Sequence, residues 1–339
     1  MRVLVTGATG VFGHRIVDRL TDRGHNVFGL TRDDGGATVV ESNGGTPVRG
    51  DLLDADSLDS AIGGRDVDTV VHAATRLPPV EKPTDEYWER NDRVRLDGAK
   101  NLLDAVDEIE QFVFPSVVWV ARQPDGSAFD ETAARHPDRT TQSAADTEDI
   151  LDSAADRHGF DATILRMGFF YGPDGRHTRM FAENLLAGEL PVVGGGLLGR
   201  GDAELSLIHA DDAARAVAES VDSRIEGLYH VVDDHPVTVA EYFETFAELL
   251  DAPDPRRIPW WLVRPFAGRD MTNFLTSSMP TSSDKFRRAT GWEPNYPTYR
   301  DGLEQIVETW AEDGTLAALR TDSDEHESVT VPDYRRSRA

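Results

Sequence analysis

A chain of 339 residues is long enough to bury a sizeable core, in one large domain or two of ordinary size. Its 61 acidic residues against 35 basic ones leave a formal charge of −26, a surface that repels nucleic-acid phosphate and anionic lipid, so neither is an expected partner. The absence of cysteine excludes disulfides, thiol catalysis and cysteine-based metal sites.

Arg2-Val3-Leu4-Val5-Thr6 is a β-branched run suited to a strand buried on both faces. Gly7, Gly10 and Gly13 follow at even spacing, then a helical pattern with Val11, Phe12, Ile16, Val17 and Leu20 on one face and Gly24 at its C-terminal end. A strand, a glycine-spaced turn and an amphipathic helix in that order suit a pyrophosphate held at the helix N-terminus. In that arrangement Gly7 turns the strand, Gly10 admits the ligand and Gly13 packs helix on strand. Residues 25–32 read as a second strand ending in Arg32, and residues 46–52 as a third ending in Gly50-Asp51-Leu52. Asp51 has a second reading as a turn or helix-start residue, since Asp54 and Ser57 also cap well.

Residues 68–75 form a fourth strand that runs from Val70-Val71 into the small Ala73 and Ala74. A long helix is expected over 85–106, a fifth strand over 111–120, and a helix over 143–158. Strands alternating with helices imply an α/β, Rossmann-type doubly wound parallel sheet. The second half begins with a strand pattern over 162–173. Arg176, His177 and Arg179 then fall in a polar loop before a helix over 180–187. Asp211 or Asp212 starts a helix, residues 227–234 form a further strand, and Thr238 with Glu241 reads as a capping box. Trp260 and Trp261 are expected to pack. His209 and Asp211 lack a third ligand, so no metal site is expected.

The run Thr6-Gly7-Ala8-Thr9-Gly10-Val11-Phe12-Gly13 resembles the short-chain dehydrogenase/reductase superfamily, and most closely the extended NAD(P)-dependent epimerase/dehydratase group. The likeness continues through residues 98–103 (a "GTxNLL" run), 162–173 ("LRxxxxYGP"), 190–196, 204–214 and 290–303 ("GWxPxxxxxxGL"), so it spans residue 1 to about Trp310. It implies a dinucleotide domain over 1–168 with 206–235 returning to it. A smaller C-terminal substrate domain then comprises 169–205 and 236–320. The polar tail 322–339 has no apolar periodicity and reads as disordered.

The resemblance also implies a cofactor and its contacts. Gly7, Thr9, Gly10, Val11, Phe12 and Gly13 would surround the pyrophosphate, with Asp51 and Leu52 beside the adenine. Ala73 and Ala74 would lie under the nicotinamide ribose, where His72 is a positioned core or near-site residue rather than a base, and Met167 near the nicotinamide amide. The usual acidic position, which would bind the hydroxyls of NAD, is Thr31 here, and Arg32 after it either suits the 2′-phosphate of NADP or is a solvated loop charge, so NADP is the preferred cofactor and NAD the alternative.

The family's acid/base pair is missing. Typical members carry Tyr-x-x-x-Lys on the helix after the fifth strand, the Lys lowering the Tyr pKa and holding the ribose. Here Thr140 and Ala144 match those two positions, and no Tyr or Lys occurs from Val106 through Met167. Ser116, near the family's hydroxyl position, either contacts substrate or bonds to the strand end. Tyr171 is the nearest phenol, a candidate to replace the lost acid or a packing residue. Two readings follow. One is an NAD(P)-dependent oxidoreductase or epimerase/dehydratase-like enzyme acting on a polar, sugar-like small molecule. The other is a non-catalytic dinucleotide-binding protein, a redox sensor or assembly subunit. A homodimer is compatible with either.

The strand pattern at Met1 and the lack of any apolar run near the roughly 18 residues of a membrane span point to a cytoplasmic protein. Only three basic residues are lysine (Lys82, Lys100 and Lys285), the rest arginine. This composition resembles that of proteins from halophilic archaea, whose cytosol screens charge within about 3 Å. Stability to heat should therefore rise with KCl up to molar concentration; a melting temperature unchanged between low and molar KCl would refute the halophilic reading.

Overall fold

The computed structural model describes residues 1–77, 84–106, 108–193, 203–258 and 276–321. Lys82, Trp260, Trp261, residues 194–196 and the 322–339 tail lie outside the described residues. The chain divides into two compact units. The first joins Met1–Phe170, Ser206–Pro236 and Met279–Asn295, and the second joins Tyr171–Leu205, Val237–Ser278 and Tyr296–Ala339.

In the first unit, β1 (Arg2–Thr6), α1 (Gly13–Asp22), β2 (Asn26–Thr31), α2 (Asp34–Ser42), β3 (Thr46–Arg49) and α3 (Ala55–Ile62) are followed by β4 (Thr69–His72), α4 (Asp85–Ala105), β5 (Gln111–Val117), α5 (Gln142–His158) and β6 (Asp161–Met167). With α7 (Ala210–Ser223) and a last strand, Gly227–Val231, they make a seven-stranded sheet ordered β3-β2-β1-β4-β5-β6 and then Gly227–Val231. Every neighbouring pair is parallel. Alternate residues along each strand serve opposite faces. Val3, Val5, Val71, Val113 and Leu165 pack with Ile16, Val17 and Leu20 of α1 and with Ala213, Val217 and Val221 of α7. Leu4, Val70, Phe112 and Phe114 pack on the other face with Leu58 of α3, Leu102 of α4 and Leu151 of α5. Both faces are covered, which is why the strands read as apolar runs without polar alternation.

Boundaries moved for local reasons. β5 stops at Val117, short of Val120, because Val118–Ala121 closes into a 3₁₀ turn. Pro115, which has no N–H to give a ladder, lies beyond Val113, the last β5 residue paired with β4. The helix α2 was hidden in the sequence by Gly35 and Gly36, yet Asp33 caps it by accepting from the Gly36 N–H at 2.7 Å. Segment Met279–Asn295, expected in the substrate domain, belongs to the first unit: Thr281 Oγ1 donates to the Phe129 carbonyl at 2.6 Å and Ser283 Oγ to the Val232 carbonyl at 2.6 Å.

The second unit contains α6 (Arg176–Leu186), α8 (Val239–Leu250) and the helix Tyr299–Glu312. α6 starts earlier than expected, so Arg176, His177 and Arg179 lie in its first turn and not in a loop, and Arg179 pairs with Glu183 one turn on at 3.2 Å. Thr238 caps α8 by accepting from the Glu241 N–H, but the Glu241 carboxylate accepts the Tyr299 hydroxyl at 3.0 Å, so the return half of the box is not made. The complete capping box is Thr298 with Asp301. Tyr171, Tyr242, Phe246, Tyr299 and Trp310 form the aromatic core, with the Trp310 indole N–H on the Pro173 carbonyl at 2.7 Å. A Cβ on Gly302 would lie 2.3 Å from the Tyr171 hydroxyl oxygen. Gly302→Ala should therefore destabilise the protein by about 1–3 kcal/mol through overpacking, read as a lowered denaturation midpoint; an unchanged midpoint would show that the tyrosine yields freely.

Candidate functional site

The strand order reverses between β1 and β4, and open α/β sheets bind ligands at the carboxyl ends of the strands that flank such a point. Both flanking turns are built for close approach. Gly7 has φ +69°, and a Cβ there would lie 2.8 Å from the Ala73 carbonyl oxygen and from the Ala74 amide. A Cβ on Gly13 would lie 1.9 Å from the Gly7 carbonyl oxygen, so α1 can seat on β1 only with glycine.

Gly10 differs. A Cβ there would meet nothing nearer than the Gly7 carbonyl oxygen at 3.4 Å, so protein packing alone does not require glycine. The Gly10 N–H donates to Gly7 O at 3.0 Å, while the N–H groups of Val11 and Phe12 find no backbone acceptor among the described residues. Open space above a helix N-terminus with free N–H groups is what a pyrophosphate needs, and the loop fits a dinucleotide on that ground. Thr9 and Val11 are exposed on the same loop.

At the adenosine end, Arg32 directly follows β2, is exposed and makes no ion pair among the described residues. Asp51 adopts part of its turn reading: Oδ1 accepts the Leu53 N–H at 3.0 Å, whereas the cap of α3 is Asp54. Leu52 is buried, its carbonyl held by Asn101 Nδ2 at 2.9 Å. Ala73 and Ala74 are half-buried beyond β4, and Met167 is fully buried at the end of β6.

His72 is a core residue, as the sequence indicated. Its Nδ1 accepts the Thr6 hydroxyl at 2.8 Å, its Nε2–H donates to the Arg95 carbonyl at 3.3 Å, and the ring stacks on Phe114. Burial lowers its pKa from 6.5 to about 4, which keeps it neutral and unfit as a base near pH 7.

The two residues expected to contact substrate have other partners. Ser116 is buried and donates to Glu148 Oε1 at 2.6 Å. Glu148, on α5, also receives Arg166 of β6 through Nε at 3.0 Å and Nη2 at 2.6 Å. The hydroxyl thus bonds into a buried bidentate pair that ties α5 to the sheet. Tyr171 is 1% exposed, its ring against Gly302 and edge-on to Tyr242. Its place in an aromatic cluster of the second unit is that of a packing residue. His209 likewise caps α7, its Nδ1 accepting the Asp211 N–H at 3.3 Å.

In the turn before α5 the Thr140 hydroxyl donates to Asp138 Oδ1 at 2.6 Å, and Ala144 in the first turn of the helix is fully buried. Neither supplies an acid or a cation. Two buried polar residues of α4, Asn91 and Arg95, went unnoticed in the sequence, although both break the otherwise small or apolar buried face Gly98, Ala99 and Leu102.

The family model described as "NAD dependent epimerase/dehydratase family" matches residues 3–229. The chain belongs to this family. A Streptomyces protein named 3-diazoavenalumate denitrifying reductase is 34% identical over 314 residues, covering 89% of this chain and 99% of its own. Among solved structures, Thermus thermophilus UDP-glucose 4-epimerase in complex with NAD is 28% identical with a TM-score of 0.73, covering 91% of this chain and 98% of that one. A human epimerase family protein with NADPH shares the fold at TM-score 0.74 and 21% identity, covering 91% and 99%. These neighbours support a nicotinamide dinucleotide as the cofactor. No helix among the described residues is long and apolar enough to cross a membrane.

Because the folded pKa of His72 lies below its ordinary value, the unfolded chain takes up this proton first as pH falls. Its contribution to stability is complete above about 6.5 and is lost between 6.5 and about 4. His72→Gln should make the denaturation midpoint less sensitive to pH across that window; an unaltered slope would mean that His72 is not a source of it.

Proposed function

We propose that this family member is an NAD(P)H-dependent reductase of a small electrophile that accepts hydride without a proton from an enzyme side chain. The observation that carries the proposal is α5 and the turn before it, which have neither tyrosine nor lysine and match the acid/base pair with Thr140, two residues before the helix, and Ala144 in its first turn. When bound, the dinucleotide supplies the hydride.

Reduction of a ketone, or epimerisation through one, moves a proton at oxygen and needs an acid/base group within hydrogen-bond reach. The Thr140 hydroxyl is engaged by Asp138, Ser116 is engaged by Glu148, and His72 is neutral and buried. A diazonium carbon has no such requirement: it takes the hydride, releases N2 and leaves a C–H bond. The Streptomyces relative, by name a denitrifying reductase of a diazo compound, supports this class of acceptor over the nucleotide sugars of the structural neighbours. Its name also denotes a carboxylate, which keeps the expected substrate polar. The exposed Arg32 after β2 supports NADP over NAD.

The same vacancy on α5 favours a second reading, a protein that binds the dinucleotide without turnover. The test is a panel of aryl diazonium carboxylates, iminium salts, ketones and UDP-glucose, each given with NADPH or NADH and corrected for the reaction without protein. N2 release matched by NADPH oxidation, slower with NADH and absent with ketones, is expected. Turnover of ketones or UDP-glucose alone would refute the reductase reading, and dinucleotide binding with no turnover of any class would favour the second.

A further inference from the structure

The site as described leaves two buried donors without a purpose. Asn91 and Arg95 lie one turn apart on α4 and are 0% and 7% exposed. Asn91 Oδ1 accepts the Arg76 N–H at 2.9 Å, so its carboxamide N–H₂ is what remains, and that group is buried with no acceptor among the described residues. The Arg95 guanidinium donates from Nη1 to Ser143 Oγ at 3.3 Å and makes no ion pair among the described residues. The carboxylate acting on it is Asp92, whose Oδ2 is held by Arg139 at 2.7 Å.

Burial lowers the Arg95 pKa to about 10, against the pull of Asp92, so the group is still a cation at neutral pH. A cation taken out of water is unfavourable, and the carboxylate that acts on it, Asp92, makes its ion pair with Arg139 instead. Its location is informative. The Arg95 carbonyl receives His72 Nε2–H at the carboxyl end of β4, and its guanidinium reaches Ser143, the residue before Ala144. Arg95 therefore lies between the turn that carries Ala73 and Ala74 and the first turn of α5, where the expected ammonium is missing.

We propose that Arg95, with Asn91, holds the nicotinamide ribose, the guanidinium taking over from α4 the place of the ammonium that Ala144 cannot supply from α5. The pair presents only N–H donors, which complement the acceptor oxygens of a vicinal diol. Arginine stays protonated across the working pH range, so it binds without serving as an acid, as befits a site with no phenol to activate. The proposal rests on the dinucleotide reading above.

The test titrates the full chain with NADPH and, separately, with adenosine 2′,5′-bisphosphate, which lacks the nicotinamide ribose. Arg95→Met should weaken NADPH binding about tenfold and leave adenosine 2′,5′-bisphosphate within about twofold. The melting temperature of the ligand-free protein should hold or rise, because an unpaired buried charge has been removed. Arg95→Lys should retain most of the affinity, and Ala144→Lys added to Arg95→Met should restore it. Unchanged NADPH binding, an equal loss with both probes, or a lowered melting temperature would overturn the proposal by making Arg95 idle or structural. Should Arg95→Met not be recovered folded, Asn91→Leu supplies an independent check, with a few-fold loss for NADPH alone expected and no loss overturning it. If the unaltered chain binds neither probe, the dinucleotide reading fails first, and this proposal with it.

Discussion

The contact on which the first unit depends is the seating of the β1–α1 turn against the end of β4. Gly7, in left-handed conformation, lies so close to Ala73 and Ala74 that no side chain fits, and Gly13 brings α1 down onto Gly7 itself. Once those backbones meet, the neighbouring strand ends, β2 with Arg32 and β3 with Asp51, surround the same sheet edge through the parallel registers. Dinucleotide binding follows from backbone geometry more than from any single side chain, which is why the fold tolerates so much change at the chemical end.

That chemical end has been rebuilt. A buried Glu148–Arg166 pair with Ser116 locks α5 to β5 and β6, and removing Glu148 would leave Arg166 buried without its carboxylate at a cost of about 3–5 kcal/mol, whereas Glu148 without Arg166 keeps Arg135 at 3.5 Å. Ser116 bonds into this network, Tyr171 packs in an aromatic cluster, and His72 is buried and neutral between Thr6 and Arg95.

Much of this was legible from the residues. β1, the long helix α4, the helix after β5 and the capping threonines carry strong local signals of β-branching, amphipathic period and cap spacing. α2 was missed because two glycines suppress helix propensity where a single aspartate cap sustains it, and the start of α6 was placed late because its first turn is polar. The segment Met279–Asn295 gives no local sign of the unit it joins, since its ties to Phe129 and Val232 span a large part of the chain.

By itself the sequence determined the parallel α/β fold and the glycine turn suited to a dinucleotide, because each is set by local composition and spacing. Only the tertiary structure decided what Ser116, Tyr171 and Arg95 touch. Their roles depend on whether a polar group, once buried, finds its partner within the protein. Ser116 finds Glu148, Tyr171 packs on Gly302, and Arg95 finds a lone hydroxyl where a charge needs a counter-charge. Such pairings join residues tens of positions apart, and no pattern along the chain encodes them.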